Sequence, residues 1–292
     1  MLLKFSSDLS KQSLYALGKE QINIMGREHI GDPILVHEFV NPVLVTDSYR
    51  IGLLPSTLRD TLFALYASPV RTVEYDGETT VCDSAAYSSV WSPSIDTLVI
   101  ARSIKRLLPK LKNAKTGLEI GCGSGFLSQY TLAKTKLESM TINDINPLSI
   151  KCAKDNIADN RAFFYLGDGL KLLSGKKYDF IVCNPPYIPR PGENKTNPYE
   201  GVGILNYLVH EGHKHLNPGG LLLIGLSNLS EPIIFRQKPK IKWQTMQELS
   251  VPMKINNVYN NSDWMDYLIE KRSRSKRTQW LPVLAHHQNI PN

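Results

Sequence analysis

The chain has 292 residues, 42% of them hydrophobic, and 34 Lys plus Arg against 27 Asp plus Glu give it a net charge of +7. Such a length holds one large domain or a main domain with a smaller companion, and such a composition excludes a disordered chain. No apolar run approaches the ~18 residues that span a membrane, and Met1–Gln12 shows no signal-peptide pattern, so a cytoplasmic protein that makes no use of a membrane is expected. The basic excess permits an anionic partner such as RNA or DNA without requiring one. Cys82, Cys122, Cys152 and Cys183 form no C-x-x-C pair. The run His210-Glu211-Gly212-His213-Lys214-His215 has Lys where a zinc-binding H-E-x-x-H needs its second His. No metal is expected.

Residues 1–70 mix a helical pattern at Ser56–Ala67 with an apolar stretch at Pro33–Val45. Arg71–Asp83 alternates on both sides of Asp76-Gly77, a two-residue hairpin signal. Ile95–Leu111 has helical spacing, with Ser94 or Asp96 as its cap. Thr116–Ile120 is a predicted strand, and a glycine loop after it opens a helix ending near Lys134. A strand at Leu137–Asp144, a helix at Asn146–Ile157 and strands at Ala162–Asp168 and Tyr178–Cys183 follow. The helix predicted over Gly203–Leu216 stops at Asn217-Pro218-Gly219-Gly220, and Leu221–Leu226 is the fifth strand. Met265–Arg272 reads as a further strand at the sheet edge. Strands alternating with helices predict a doubly wound, mostly parallel α/β sheet. Residues 1–85, including the hairpin, form one predicted unit. Residues 86–292 form the other, with basic runs at Arg236–Trp243 and Glu270–Arg277 that could meet phosphates.

Gly121, Gly123 and Gly125 lie directly between a strand and a helix, where backbone without a Cβ can approach a ligand closely. A dinucleotide fingerprint needs its third glycine at position 126, which is Phe126. Asp144, 23 residues beyond Gly121, can accept both hydroxyls of a ribose or cap the following helix. Asp168 can accept from an adenine amino group or serve a turn. With Glu119, these carboxylates stand at three successive strand ends. The set resembles the S-adenosylmethionine site of class I methyltransferases, with Glu119 at the acidic position of the family's first motif. The resemblance implies a seven-stranded Rossmann-like sheet. It also implies a cofactor set of Glu119, Gly121, Cys122, Gly123, Ser124, Gly125, Asp144, Asp168, Gly169 and Asn184.

The fourth strand ends in Asn184-Pro185-Pro186-Tyr187. Two prolines set φ twice and remove two donors, leaving carbonyls that no neighbouring N–H competes for. Asn184 Oδ1 and the Pro185 carbonyl can accept the two N–H groups of a planar amide or aryl amine, and Tyr187 can stack on it. The tetrapeptide resembles the N-P-P-Y motif of glutamine N5-methyltransferases and of enzymes that methylate the amino groups of adenine and guanine. From residue 71 to 228 the chain is most similar to the release-factor glutamine methyltransferases, the HemK/PrmC group. That resemblance implies Asn184, Pro185, Pro186 and Tyr187 as catalytic residues. It implies S-adenosyl-L-methionine as cofactor and a protein of the release-factor class as substrate, recognised by the N-terminal region. Methylation of a base in RNA or DNA is the alternative. Ser92-Pro93-Ser94-Ile95-Asp96 replaces the group's usual P-R-P-E-T, and Gly169 stands where an aromatic commonly follows the third acidic residue.

Overall fold

The protein is described from a computed structural model, which describes residues 2–5, 70–83, 86, 87, 89–93, 95–187, 202–227, 230–250 and 283–289. Two sheets are present among them. The smaller contains β1 (Leu2–Phe5), β2 (Val70–Tyr75) and β3 (Glu78–Asp83), with β1 parallel to β2 and β2 antiparallel to β3. Asp76 and Gly77 both have positive φ, 53° and 85°, as a two-residue turn matched to strand twist requires.

The hairpin is docked rather than free. Asp76 accepts from Lys105 Nζ at 3.0 Å and from Tyr130 Oη at 2.9 Å. The Asn156 side-chain amide imitates a strand partner of Val81, accepting from its N–H at 3.0 Å and donating to its carbonyl at 2.9 Å. Val73 and Tyr75 are buried in one hydrophobic core with the residues of the larger sheet. Sequence reading groups the hairpin with residues 1–85; its side chains pack against the helices that follow it.

The larger sheet contains β4 (Thr116–Ile120), β5 (Ser139–Asp144), β6 (Ala162–Leu166), β7 (Tyr178–Cys183), β8 (Leu216–Ser227), β9 (Trp243–Ser250) and β10 (Val283–Asn289). Their order is β6-β5-β4-β7-β8-β10-β9, and β10 runs antiparallel to both neighbours while β4 to β8 are parallel. The expected seven strands are thus present, and the strand order reverses between β4 and β7. The helices are α1 (Ile95–Leu107), α2 (Phe126–Lys134), α3 (Pro147–Asn156), α4 (Gly169–Leu173), α5 (Gly203–Glu211) and α6 (Glu231–Ile234). Near one end of the sheet α1 lies over β8, β9 and β10, and near the other α3 lies over β5 and β6. Buried Leu, Ile and Val of the central strands fill the space between, including Leu118, Ile142, Ile181, Val182, Leu223 and Ile224.

Sequence patterning does not anticipate β1, β9 or β10. The register of β10 on β9 shifts between His286 and His287, which skips Met246 on β9. That bulge lets Trp243 and Met246, three residues apart, both pack on the core and destroys the period of two. The strand expected at Met265–Arg272 lies outside the described residues.

Candidate active site

Parallel register brings the predicted residues together. Ile120 of β4 is level with Asn143 of β5 and Cys183 of β7, and Cys183 is level with Ile224 of β8. Gly225 is level with Asn184 inside β8, and Gly121, Asp144 and Asn184 therefore stand side by side at the carboxyl end of the sheet, where strand order reverses. Ligands of open α/β sheets bind there.

The glycine loop uses its own donors. The N–H groups of Gly121 and Cys122 both reach Asn143 O at 2.9 Å, that of Ser124 reaches Trp91 O at 3.1 Å, and that of Gly125 reaches Cys122 O at 2.8 Å. Gly123 N–H donates to Asp144 Oδ2 at 2.9 Å. A pyrophosphate cradle needs such groups aimed at the ligand, so this loop offers closeness without an anion nest. Gly121 (φ 74°) has open space where a Cβ would stand, whereas a Cβ on Gly123 would come 2.6 Å from Trp91 O. The strap Ser89–Pro93 thus rests directly on the loop. Asn146 ties it further, donating from Nδ2 to Ser89 O at 3.1 Å. Trp91, 38% exposed, lies against Gly123 through its carbonyl and Cβ, a neighbour that sequence reading does not single out.

Asp144 is buried. Its Oδ1 accepts from Asn146 N–H at 2.9 Å and its Oδ2 from Gly123. Burial raises its pKa against these hydrogen bonds, which pull the other way. The helix after it is capped by Asn146, which accepts from Leu148 N–H, not by Asp144. The Ser149 side chain and the Ile145 backbone also hydrogen-bond to Asp144. Beside it Ile145 is 56% exposed, an aliphatic face at the same strand end. Asp168 is exposed and caps α4, accepting from Leu170 N–H at 2.9 Å. Gly169 is buried because Asn143 fills the space behind it: a Cβ there would come 2.4 Å from Asn143 Oδ1. That accounts for glycine where an aromatic is usual.

Glu119 does not face the strand ends. It is 1% exposed and accepts from the Ser128 N–H at 2.9 Å and from the Ser128 hydroxyl, holding the first turn of α2. Burial pushes its pKa up to about 8. The thiols of Cys122 and Cys183 are also raised by burial, leaving both as inert core groups. Among the described residues no cluster of His, Cys, Asp or Glu could hold a metal.

Asn184 and Tyr187 converge on a residue distant in sequence. Asp96, 4% exposed in the first turn of α1, accepts through Oδ2 from Asn184 Nδ2 at 3.1 Å and from Tyr187 Oη at 3.3 Å. Tyr187 is 9% exposed and belongs to the core, so its ring is not presented for stacking. Burial, reinforced by Asp96, raises its pKa. Ser227 Oγ donates to the Tyr187 carbonyl at 3.0 Å. Asn184 Oδ1 is buried and, among the described residues, meets no donor. It faces Gly225, where a Cβ would stand 2.8 Å from it. Asp96 and Gly225 are site residues that sequence reading misses. The only sequence signal for Asp96 is its place in the segment that departs from P-R-P-E-T.

The family model of the methyltransferase small domain matches residues 100–234. A candidate protein N5-glutamine methyltransferase of Methanocaldococcus jannaschii is 30% identical over 188 residues, 60% of this chain and 92% of that protein. The chain belongs to the class I S-adenosylmethionine-dependent methyltransferases, in the HemK/PrmC group. Within this family it is also similar to the release factor glutamine methyltransferase of Aquifex aeolicus, at 29% identity over 47% of this chain and 54% of that one. It thus spans about half the length of that relative. Ribosomal RNA small subunit methyltransferase C of Haemophilus influenzae is 28% identical over 45% of this chain and 39% of its own length. The fold matches the crystal structure of an S-adenosylmethionine-dependent methyltransferase from Agrobacterium tumefaciens with TM-score 0.51, 14% identity and coverage of 77% and 71% of the two chains. No described helix is long and apolar enough to cross a membrane.

Proposed function

We propose that the protein transfers the methyl group of S-adenosyl-L-methionine to the side-chain nitrogen of a glutamine in a protein of the release-factor class. The observation that carries this reading is Asn184 Oδ1, a buried acceptor without a donor beside a loop that offers a ligand closeness. Leaving such an atom unpaired costs about 1–3 kcal/mol, and a substrate N–H is the donor that would complete it. The fit to the cofactor rests on the same strand ends. Gly121 opens onto free space, Asp144 would accept from the ribose, the exposed Ile145 would face a purine, and Asp168, which also caps α4, would accept from its amino group.

The cofactor supplies an electrophilic methyl on its sulfonium, so the protein's task is alignment. Asn184 Oδ1 and the Pro185 carbonyl accept from the nitrogen and direct its lone pair. With the cofactor bound, transfer would leave a neutral thioether and carry the positive charge to the nitrogen, which these two acceptors would hold more strongly than in the ground state. The cationic nitrogen would then lose a proton to water, and because it is strongly acidic no strongly basic side chain would be required.

Glutamine is favoured over a nucleic-acid base by relatives named for release factor and N5-glutamine methylation. Placement of the basic run Arg236–Trp243 agrees. Through Asn289, Trp243 is level with Leu222, midway along β8, and β9 runs parallel to β8 toward the end of the sheet that carries Asn184, so the basic run enters β9 from the opposite side. The ribosomal RNA relative keeps the second reading in play. Tritiated methyl transfer into fractionated protein and RNA of cells lacking the enzyme separates the two. Label in protein, released as N-methylated glutamine, is the expected result, whereas label in RNA overturns it.

A further inference from the structure

We propose that Asp96 is a positioning residue that fixes which end of the Asn184 amide meets the substrate and pins the whole Asn184–Tyr187 segment in place. The proposal rests on the reading of Asn184 given above. An Asn side chain turned by half a rotation exchanges oxygen for nitrogen with almost no change in shape. Nothing in Asn184-Pro185-Pro186-Tyr187 itself selects between the two. A carboxylate oxygen accepts and does not donate, so Asp96 Oδ2, 3.1 Å from the amide nitrogen, selects the orientation that points Oδ1 away from α1 and toward Gly225. With the opposite rotation two acceptors would face each other across that distance.

The same oxygen accepts from Tyr187 Oη at 3.3 Å, while Ser227 Oγ holds the Tyr187 carbonyl at 3.0 Å. The segment is therefore fixed at both ends, to α1 through Asp96 and to β8 through Ser227. Its prolines contribute no donors between those points. Enclosure raises the value of the arrangement: in a dry site hydrogen bonds in a chain polarise one another. A carboxylate behind Nδ2 enriches Oδ1 in electron density, which favours a nitrogen that bears hydrogen and becomes cationic during reaction. The substrate class this selects is a planar amide or aryl amine. An oxygen nucleophile without hydrogen would meet a repulsive acceptor.

A double-mutant cycle tests it. Asp96→Asn is expected to lower kcat by about 10²-fold, the loss that follows from misplacing a reacting group by an ångström, with the cofactor Kd unchanged within about threefold, a tolerance of about 0.6 kcal/mol. In an Asn184→Ala background the same change is expected to cost no more than about tenfold, the part that acts through Tyr187, since residues acting through a shared contact are not additive. Equal losses in both backgrounds, or normal turnover in Asp96→Asn, overturn the proposal. A readout on the unaltered chain needs neither turnover nor that variant's folding. The side-chain NH₂ resonances of Asn184, assigned by their loss in Asn184→Ala, should exchange with solvent far more slowly than those of exposed Asn. Exchange at the exposed rate overturns the proposal. Absence of methyl transfer by the unaltered chain would instead count against the functional reading alone.

Discussion

Gly225→Ala adds one methyl group and tests the crevice from behind. The new Cβ would stand 2.8 Å from Asn184 Oδ1 and 3.3 Å from Ile100 Cδ1. Ordinary carbon–oxygen contacts begin near ~3.3 Å, so the amide must retreat by roughly 0.5 Å. Retreat toward α1 is blocked, because Nδ2 already lies 3.1 Å from Asp96. Either the amide rotates out of its bond or the β7 end shifts with it. Overpacking of this kind costs about 1–3 kcal/mol, and misplacement near a reacting atom costs up to ~10²-fold in rate. The expected phenotype is a folded protein with kcat reduced about 30- to 100-fold and cofactor affinity little changed, since the glycine loop lies on the other side of Asn184. Calorimetry gives the Kd, radiometric transfer the kcat and a thermal melt the stability. Turnover within twofold of the unaltered protein, in a variant that melts normally, would refute the placement of Asn184 at the acceptor nitrogen.

Three further outcomes are expected. Asp144→Ala removes the acceptor proposed for the ribose and should weaken S-adenosylmethionine binding by about 1.5–3 kcal/mol; unchanged affinity by calorimetry removes Asp144 from the site. Glu119 has its folded-state pKa raised to about 8 from 4.5, so the native state holds a proton that the unfolded state has lost, and its contribution to stability falls as pH rises from about 4.5 to 8 and is flat above. Glu119→Gln should flatten that slope, and chemical denaturation at pH 5 and pH 8 would detect an unchanged one. Gly125→Ala should destabilise the fold by about 2–4 kcal/mol, because Gly125 has φ 87° and a Cβ there would come 2.9 Å from Ala153 Cβ and Ile157 Cδ1; a denaturant midpoint close to that of the unaltered protein would contradict this packing.

The central strands and the glycine loop were legible in the sequence because their signals are local. Apolar runs end in glycine or an acidic residue, and helical spacing resumes at once. The reversal of strand order, which sets Asn184 beside Gly121, followed from the class I resemblance and is present in the register. What escaped is non-local. Asp96 reaches Asn184 across 88 residues and Tyr187 across 91, and no spacing rule links a first-turn carboxylate to a strand end so far away. Gly225 looks like a weak point in an apolar strand until the amide facing it is seen. Tyr187 illustrates the opposite error, because an aromatic after two prolines suggests stacking while its hydroxyl has a buried partner that draws the ring inward. Likewise Glu119 occupies the motif's acidic position, yet its carboxylate turns to Ser128 and supports α2.

The reading as a glutamine methyltransferase is tested most directly by tandem mass spectrometry of a release-factor-class protein incubated with S-adenosylmethionine and either the unaltered enzyme or Asn184→Ala. One added methyl on the side-chain nitrogen of a glutamine, present with the former and reduced about 10²-fold or more with the latter, is the predicted result. A methylated amino group on an RNA or DNA base, with the protein glutamines unmodified, would contradict it.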